Sequence, residues 1–162
     1  MCSSSAAIIP SAFYKGEKYY YFGIENNEVS AFGGKLEPKE TFKMCAGREF
    51  LEESLGVFAD KNKIEKIFKK HKFTEVKNIT PKHKHTTYIV PINKNRNFIK
   101  LFADARKDKT LTACQKEMSE IIAVKADALK SAIITNKYVF KGHKMRPCVI
   151  STLKIAHTEN RI

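Results

Sequence analysis

Between residues 48 and 53 the chain reads Arg-Glu-Phe-Leu-Glu-Glu, three carboxylates and one guanidinium in six positions of an otherwise strongly basic sequence. Successive residues of an α-helix turn by about 100°. Glu49, Glu52 and Glu53 therefore share one helical face, at i, i+3 and i+4. Met44, Leu51 and Leu55 fall roughly opposite and are expected to pack into a core. Like charges so close together destabilise a helix unless something positive sits among them. A hard divalent cation meets that need, because it takes carboxylate oxygens and keeps waters and phosphate oxygens as its other ligands. The bland alternative is a solvated helix face with an i, i+4 ion pair.

At 162 residues the chain suits one domain with a real core, and we read residues 1–162 as that domain. The formal net charge is +13, and residues 61–109 alone hold fifteen basic and four acidic residues. The acidic cluster is thus a local exception in a positive field, and such a field attracts polyanions: nucleotides, RNA or polyphosphates. Cys2, Cys45, Cys114 and Cys148 are widely spaced with no CxxC pair, which argues against a zinc ribbon or a thioredoxin-like motif. Free thiols and a cytoplasmic setting are the expectation. The first residues make a poor signal peptide, and no apolar run is long enough to span a membrane, so no membrane partner is expected.

In order along the chain, 6–13 and 18–25 read as strands joined by a turn at Gly16, and 29–32 as a third. Gly33-Gly34 is expected to break that strand and to let backbone approach a ligand. Thr41 suits a helix N-cap, with the helix running to Ser54 or Leu55 and Gly56 at C′. Residues 64–72 read equally as a short helix or an irregular basic segment. Strands are expected at 73–79, 86–92, 98–102 and 120–124, with helices at 126–134 and 147–157. The whole reads as a mixed α/β domain with a central helix among mostly hairpin-linked strands.

The spacing around the acidic helix resembles the signature of the Nudix hydrolase family. Gly34 is followed after five residues by Glu40, and after seven more by Arg48-Glu49, then Phe50, Leu51, Glu52 and Glu53. The pattern departs at its end, where Ser54-Leu55 rather than one residue precede Gly56-Val57. The resemblance extends to the strands before and to Glu117-Met-Ser-Glu120 with the strand and helix after. Ala31 to Lys35 (AFGGK) is also similar to the lead-in of the family's oxidised-purine nucleoside triphosphatases. The resemblance implies an α/β/α sandwich with a mixed central sheet.

It also implies Mg2+- or Mn2+-dependent hydrolysis of a phosphoanhydride. Glu49, Glu52 and Glu53 would bind metal, with Glu49 also polarising the attacking water. The Gly34 carbonyl would be a further ligand, and Gly33, Gly34 and Lys35 would contact substrate. Arg48 would hold a glutamate in place, Glu52 being its i+4 neighbour. Glu40 would support the loop–helix junction. Glu117 or Glu120 would add a ligand or base, an exposed strand end being equally compatible. His83 and His85 suit a phosphate-facing or solvated role rather than a metal. Tyr19, Tyr20, Tyr21 and Phe32 suit the core, or one of them base stacking. The expected substrate is a nucleoside di- or triphosphate derivative. The basic segment admits two alternatives, the same chemistry on capped RNA or diphosphoinositol polyphosphate, and a non-catalytic RNA-binding module. Oligomeric state stays open, a homodimer included.

Overall fold

A computed structural model describes residues 2–162. β1 (Ser3–Tyr14) turns at Lys15-Gly16, both with positive φ, into β2 (Glu17–Glu25). β3 (Glu28–Ser30) and β4 (Phe32–Lys35) lead to α1 (Phe42–Glu53) and α2 (Lys61–Lys69). A second hairpin, β5 (Thr74–Ile79) and β6 (His83–Pro91), precedes α3 (Phe98–Ala105). After a 3-10 turn at Cys114–Lys116 come β7 (Glu120–Lys125), α4 (Ala126–Thr135), the small hairpin β8 (Val139–Phe140) and β9 (His143–Met145), and α5 (Pro147–Thr158).

The sheet is mixed and branched. β1 is central, pairing in parallel with β6 from Ser3↔His83 to Ser11↔Pro91. Its other edge is shared, with β4 paired to residues 5–8 and β2 to residues 11–14, both antiparallel. Pro10, which has no N–H to donate, falls in the gap between those two ladders. Past that gap β2 takes β3 and β7 as partners. Because β1 is buried on both faces, its middle, Ala6 to Pro10, reads as a continuous apolar run rather than an alternation. Ala6 and Ile8 face a core with Phe50 of α1, Ile64 of α2 and Phe102 of α3. Ala7 and Ile9 face a second core with Leu129 of α4 and Leu153 of α5. Helices on both faces of a mixed sheet make an α/β/α sandwich, as the sequence implied.

Several local expectations are corrected, and the open readings of 64–72 and of the aromatic residues are decided. Residues 98–102 are helical, because Asn97 caps the turn by accepting from the Lys100 N–H, and Phe98 and Phe102 bury one i, i+4 stripe. Residues 61–69 are helical behind the Asp60 cap, which accepts from the Lys63 N–H at 2.8 Å. Gly33 and Gly34 do not break a strand; they lie inside β4, opposite Ala7 and Ala6. Met44 is 58% exposed, and α1 instead buries Cys45, Ala46 and Phe50 against the sheet. The hairpin β8–β9 has no counterpart in the sequence reading. Tyr20, Tyr21 and Phe32 are core residues.

Candidate functional site

The helix that carries the acidic face is fixed at both ends. Thr41 Oγ1 accepts from the Met44 N–H at 3.1 Å. At the other end Ser54 caps the helix, and Leu55 (φ 56°) and Gly56 (φ 68°) are both left-handed. The left-handed position after the helix is thus Leu55, at the spacing where the resembled pattern has glycine, and Gly56 repeats it. Gly47, mid-helix, admits α2: a Cβ there would meet Ile64 Cγ2 at 3.1 Å.

Arg48 does not lean chiefly on its i+4 neighbour. Its Nε donates to Glu40 Oε2 at 2.8 Å and its Nη2 to Glu40 Oε1 at 3.0 Å, a two-pronged grip. Its Nη1 donates to Glu49 Oε1 at 2.9 Å, while Glu52 Oε2 is 3.9 Å away. The guanidinium holds the Glu40 carboxyl down at about 2 and is itself pushed up by these carboxylates. Glu40 also accepts from the Glu37 N–H at 2.9 Å, which ties the loop to the helix. Glu49 rises above the ordinary carboxylate range because burial outweighs the pull of Arg48.

Glu53 is the buried member of the face, at 2% exposure. Its Oε1 accepts from the Gly33 N–H at 2.6 Å. Carboxylate oxygens of Glu53, Glu25 and Glu117 all lie within 4.8 Å of one another. Burial first, and then Glu49 and Glu25 beside it, push the Glu53 carboxyl up to about 9. Burial and then Glu25 raise Glu117 as well. Glu25, at the end of β2, is held from the far side by Arg146, whose Nη1 lies 2.7 Å from Glu25 Oε2. The Arg146 N–H donates to the Val29 carbonyl, docking the start of α5 on β3.

Of the residues expected at the site, Glu53 and Glu117 come together with Glu25, and Glu49 sits against Gly34. An added Cβ on Gly34 would lie 2.5 Å from Glu49 Oε1. The Gly34 carbonyl accepts from the Cys45 thiol at 3.3 Å. Gly33 has no room for a side chain because β4 runs hard against the Ala6 carbonyl. Lys35 is exposed, and its carbonyl accepts from Arg48 Nη2 at 3.4 Å. Glu52 is more exposed than Glu49 or Glu53. Glu120 is exposed at the start of β7, with His143 as its neighbour at 3.9 Å, and is not one of the three carboxylates that gather at Glu53. Glu25 was missed, and only its place at the end of a strand next to the Asn26-Asn27 turn marked it in sequence.

The expectation of a solvated or phosphate-facing role is corrected for His85, while His83 is half-buried beside it. Both rings bond Ser5 Oγ, at 2.8 Å from His83 and 2.6 Å from His85, and His85 Nε2 lies 2.9 Å from Thr87 Oγ1. His85 is buried, and burial followed by His83 pushes it down to about 4. It is neutral near pH 7, with both nitrogens engaged and the ring buried from solvent.

The sequence matches no protein-family model and no curated protein. Among solved structures, the C. elegans Ap4A hydrolase is 12% identical, with 100% of each chain covered and a TM-score of 0.52. A Nudix hydrolase from Nitrosomonas europaea is 14% identical over 99% of this chain and 92% of that one, at 0.53. The C-terminal domain of mouse MUTYH, solved with human PCNA, is 8% identical over 99% and 90%, at 0.56. Identities this low speak to architecture alone, and that architecture is the Nudix hydrolase fold.

Proposed function

We propose that this protein is a divalent-metal-dependent pyrophosphohydrolase that cleaves a phosphoanhydride in a nucleoside di- or triphosphate derivative. The observation that carries the reading is the convergence of Glu25, Glu53 and Glu117 from three distant segments, with Glu53 almost wholly buried. A carboxylate as buried as Glu53 is costly without a cation beside it, while Glu25 is half-buried and Glu117 exposed at the mouth of the cluster. The donor set is all oxygen, which suits Mg2+ or Mn2+. Glu53, Glu25 and Glu117 would hold the ion, with Glu49 and Glu52 adjoining. When bound, the ion neutralises phosphate charge and polarises water.

The chain's own residues do the rest. The Gly33 N–H fixes one Glu53 oxygen and leaves the other for the ion. Arg48, locked on Glu40, aims Glu49 across Gly34, where its raised proton affinity suits it to take a proton from an attacking water. Arg146 restrains Glu25 so that the cluster does not fly apart. Resemblance to hydrolases of nucleotide substrates and the high positive charge support a phosphorylated substrate. No helix among the described residues is long and apolar enough to cross a membrane. The test is a panel of nucleoside di- and triphosphates and dinucleoside polyphosphates with Mg2+ or Mn2+, scored for released phosphate and nucleotide. Turnover that vanishes without metal and in Glu53→Gln is expected; no turnover on any member, or full activity in Glu53→Gln, would overturn it.

A further inference from the structure

β5 lies at one end of the sheet and β8 at the other. β8 is two residues long, too short to offer a ladder. β5 is six residues long and pairs with β6 in unbroken register from Thr74↔Ile89 to Ile79↔Lys84, without a proline or a bulge. In an antiparallel pair both backbone groups of every second residue turn away from the partner strand. Thr80 and His83 exchange both their backbone bonds, so Thr80 turns toward β6, and Ile79, Lys77 and Glu75 turn outward. Among the described residues these outward groups make one bond within the chain, Arg161 Nη1 donating to the Glu75 carbonyl at 2.7 Å. That carbonyl keeps a second lone pair.

A lone charge at a sheet edge guards it against pairing. β5 carries two charges of opposite sign, Glu75 and Lys77, on one face and 3.5 Å apart. Set against its own reverse with Val76 at the centre, the strand places Glu75 opposite Lys77 twice over. It also places Phe73 opposite Ile79, which is 60% exposed, and outward backbone groups meet outward backbone groups. Centring the pair on Glu75 or on Lys77 instead puts like charges face to face, which is destabilising. The two charges thus favour one of these three registers.

We infer that a second copy of this chain docks on β5, the two β5 strands running antiparallel about a two-fold axis at Val76. Glu75 and Lys77 of each copy exchange backbone bonds with Lys77 and Glu75 of the other, and their side chains form two ion pairs across the join. Val76 keeps its side chain in its own core, so only its backbone lies at the axis. The interface is isologous, every contact is made twice, and the two sheets become one. The net charge of +13 opposes the approach of two copies, which makes the association weak and strongly dependent on concentration. Nothing in it depends on the acidic cluster or on the hydrolase reading.

The experiment is sedimentation velocity on the wild type, Glu75→Lys and Lys77→Glu from about 1 µM to about 1 mM, each variant first checked by its melting curve. The wild type should pass from monomer to dimer. Each single reversal sets two like-charged pairs across the join and should weaken association at least about tenfold. An equimolar mixture of the two variants should dimerise again, because one copy then brings only lysines and the other only glutamates at positions 75 and 77. The double reversal Glu75→Lys/Lys77→Glu should dimerise as well. In the wild type, hydrogen exchange at the Lys77 and Ile79 amides should slow as concentration rises, a readout that needs no variant. A wild type that stays monomeric over this range, single reversals that associate as well as the wild type, or a mixture that stays monomeric overturns the inference.

Discussion

Arg48 grips Glu40 through two parallel hydrogen bonds, at 2.8 Å and 3.0 Å, and reaches Glu49 at 2.9 Å with its third nitrogen. One guanidinium thus joins the loop before α1 to the carboxylate expected to take a proton. Glu40→Gln removes the anchor's charge and lets Arg48 swing toward Glu49 and Glu52. Stability should fall by about 1–3 kcal/mol. Catalysis should drop roughly tenfold to a hundredfold, with more metal needed for half-maximal rate. The native pair's own contribution is present above pH 4.5 and lost as pH falls toward about 2, because the folded state holds Glu40 ionised. A urea melt at pH 7 and at pH 3 checks it: the gap between wild type and Glu40→Gln should narrow at the lower pH.

Glu53→Gln should make the metal-free protein more stable while abolishing function. A carboxyl raised to about 9 favours folding in its protonated form, so its charge weakens the native state increasingly from pH 4.5 to 9. Glutamine keeps the acceptor for the Gly33 N–H and removes that charge. At pH 8 without metal, the melting midpoint should rise by roughly 4–8 °C, for about 2 kcal/mol in a chain this size. The upward shift that Mg2+ or Mn2+ gives the wild type should vanish in the variant. A lower midpoint in Glu53→Gln would contradict the account.

Gly34→Ala isolates the placement of Glu49. The backbone there has an ordinary φ, and the nearest obstacle is the Glu49 carboxylate, 2.5 Å from the new methyl. The variant should fold, with a midpoint within a few degrees of wild type, and lose about 10- to 100-fold in kcat with a smaller change in KM. Steady-state kinetics on the best substrate would decide it.

Much of this was legible in residue order. The Glu49–Glu52–Glu53 face, the Thr41 cap and the apolar run of β1 follow from local periodicity and capping chemistry, which act over a few positions. What failed was set by distant chain. Gly33 and Gly34 look like loop residues, yet they are strand because Ala6 and Ala7 pair with them. Phe98 to Phe102 looks like a strand until the Asn97 cap is recognised. Glu25 carries only the weak local signal of a strand end beside a turn, because its role comes from Glu117 and Arg146, which are brought to it by the segments leading into β7 and α5. His85 looked like part of a solvated basic run, but the parallel pairing of β1 with β6 buries it against Ser5.

That pairing gives a further pH dependence. His85 is held near 4 in the folded state against 6.5 in an unfolded chain, so its contribution is whole above pH 6.5 and erodes as pH falls toward 4. The advantage of wild type over His85→Asn, measured by denaturant midpoint, should therefore be larger at pH 7.5 than at pH 5. An advantage that grew on acidification would refute the assignment.

Thiol chemistry should separate the cysteines. Cys2 and Cys114 are exposed, whereas Cys45 is buried against the Gly34 carbonyl with its thiol pushed up to about 11 by burial. Brief iodoacetamide treatment at pH 7.5 followed by peptide mapping should modify Cys2 and Cys114 and spare Cys45 until the protein is unfolded. Modification of native Cys45 at the rate of Cys2 would count against the packing described.

The central place of β1 also bears on how the molecule comes into being. β1 has its parallel partner about eighty residues later in the chain, from Ser3↔His83 onward, and parallel pairing across such a separation closes slowly. Until β6 emerges from the ribosome, β1 can pair only with β2 and β4, leaving an apolar edge unpaired. The nascent chain is therefore most prone to aggregation over this interval, and a chaperone that shields exposed strand edges would do most for it there.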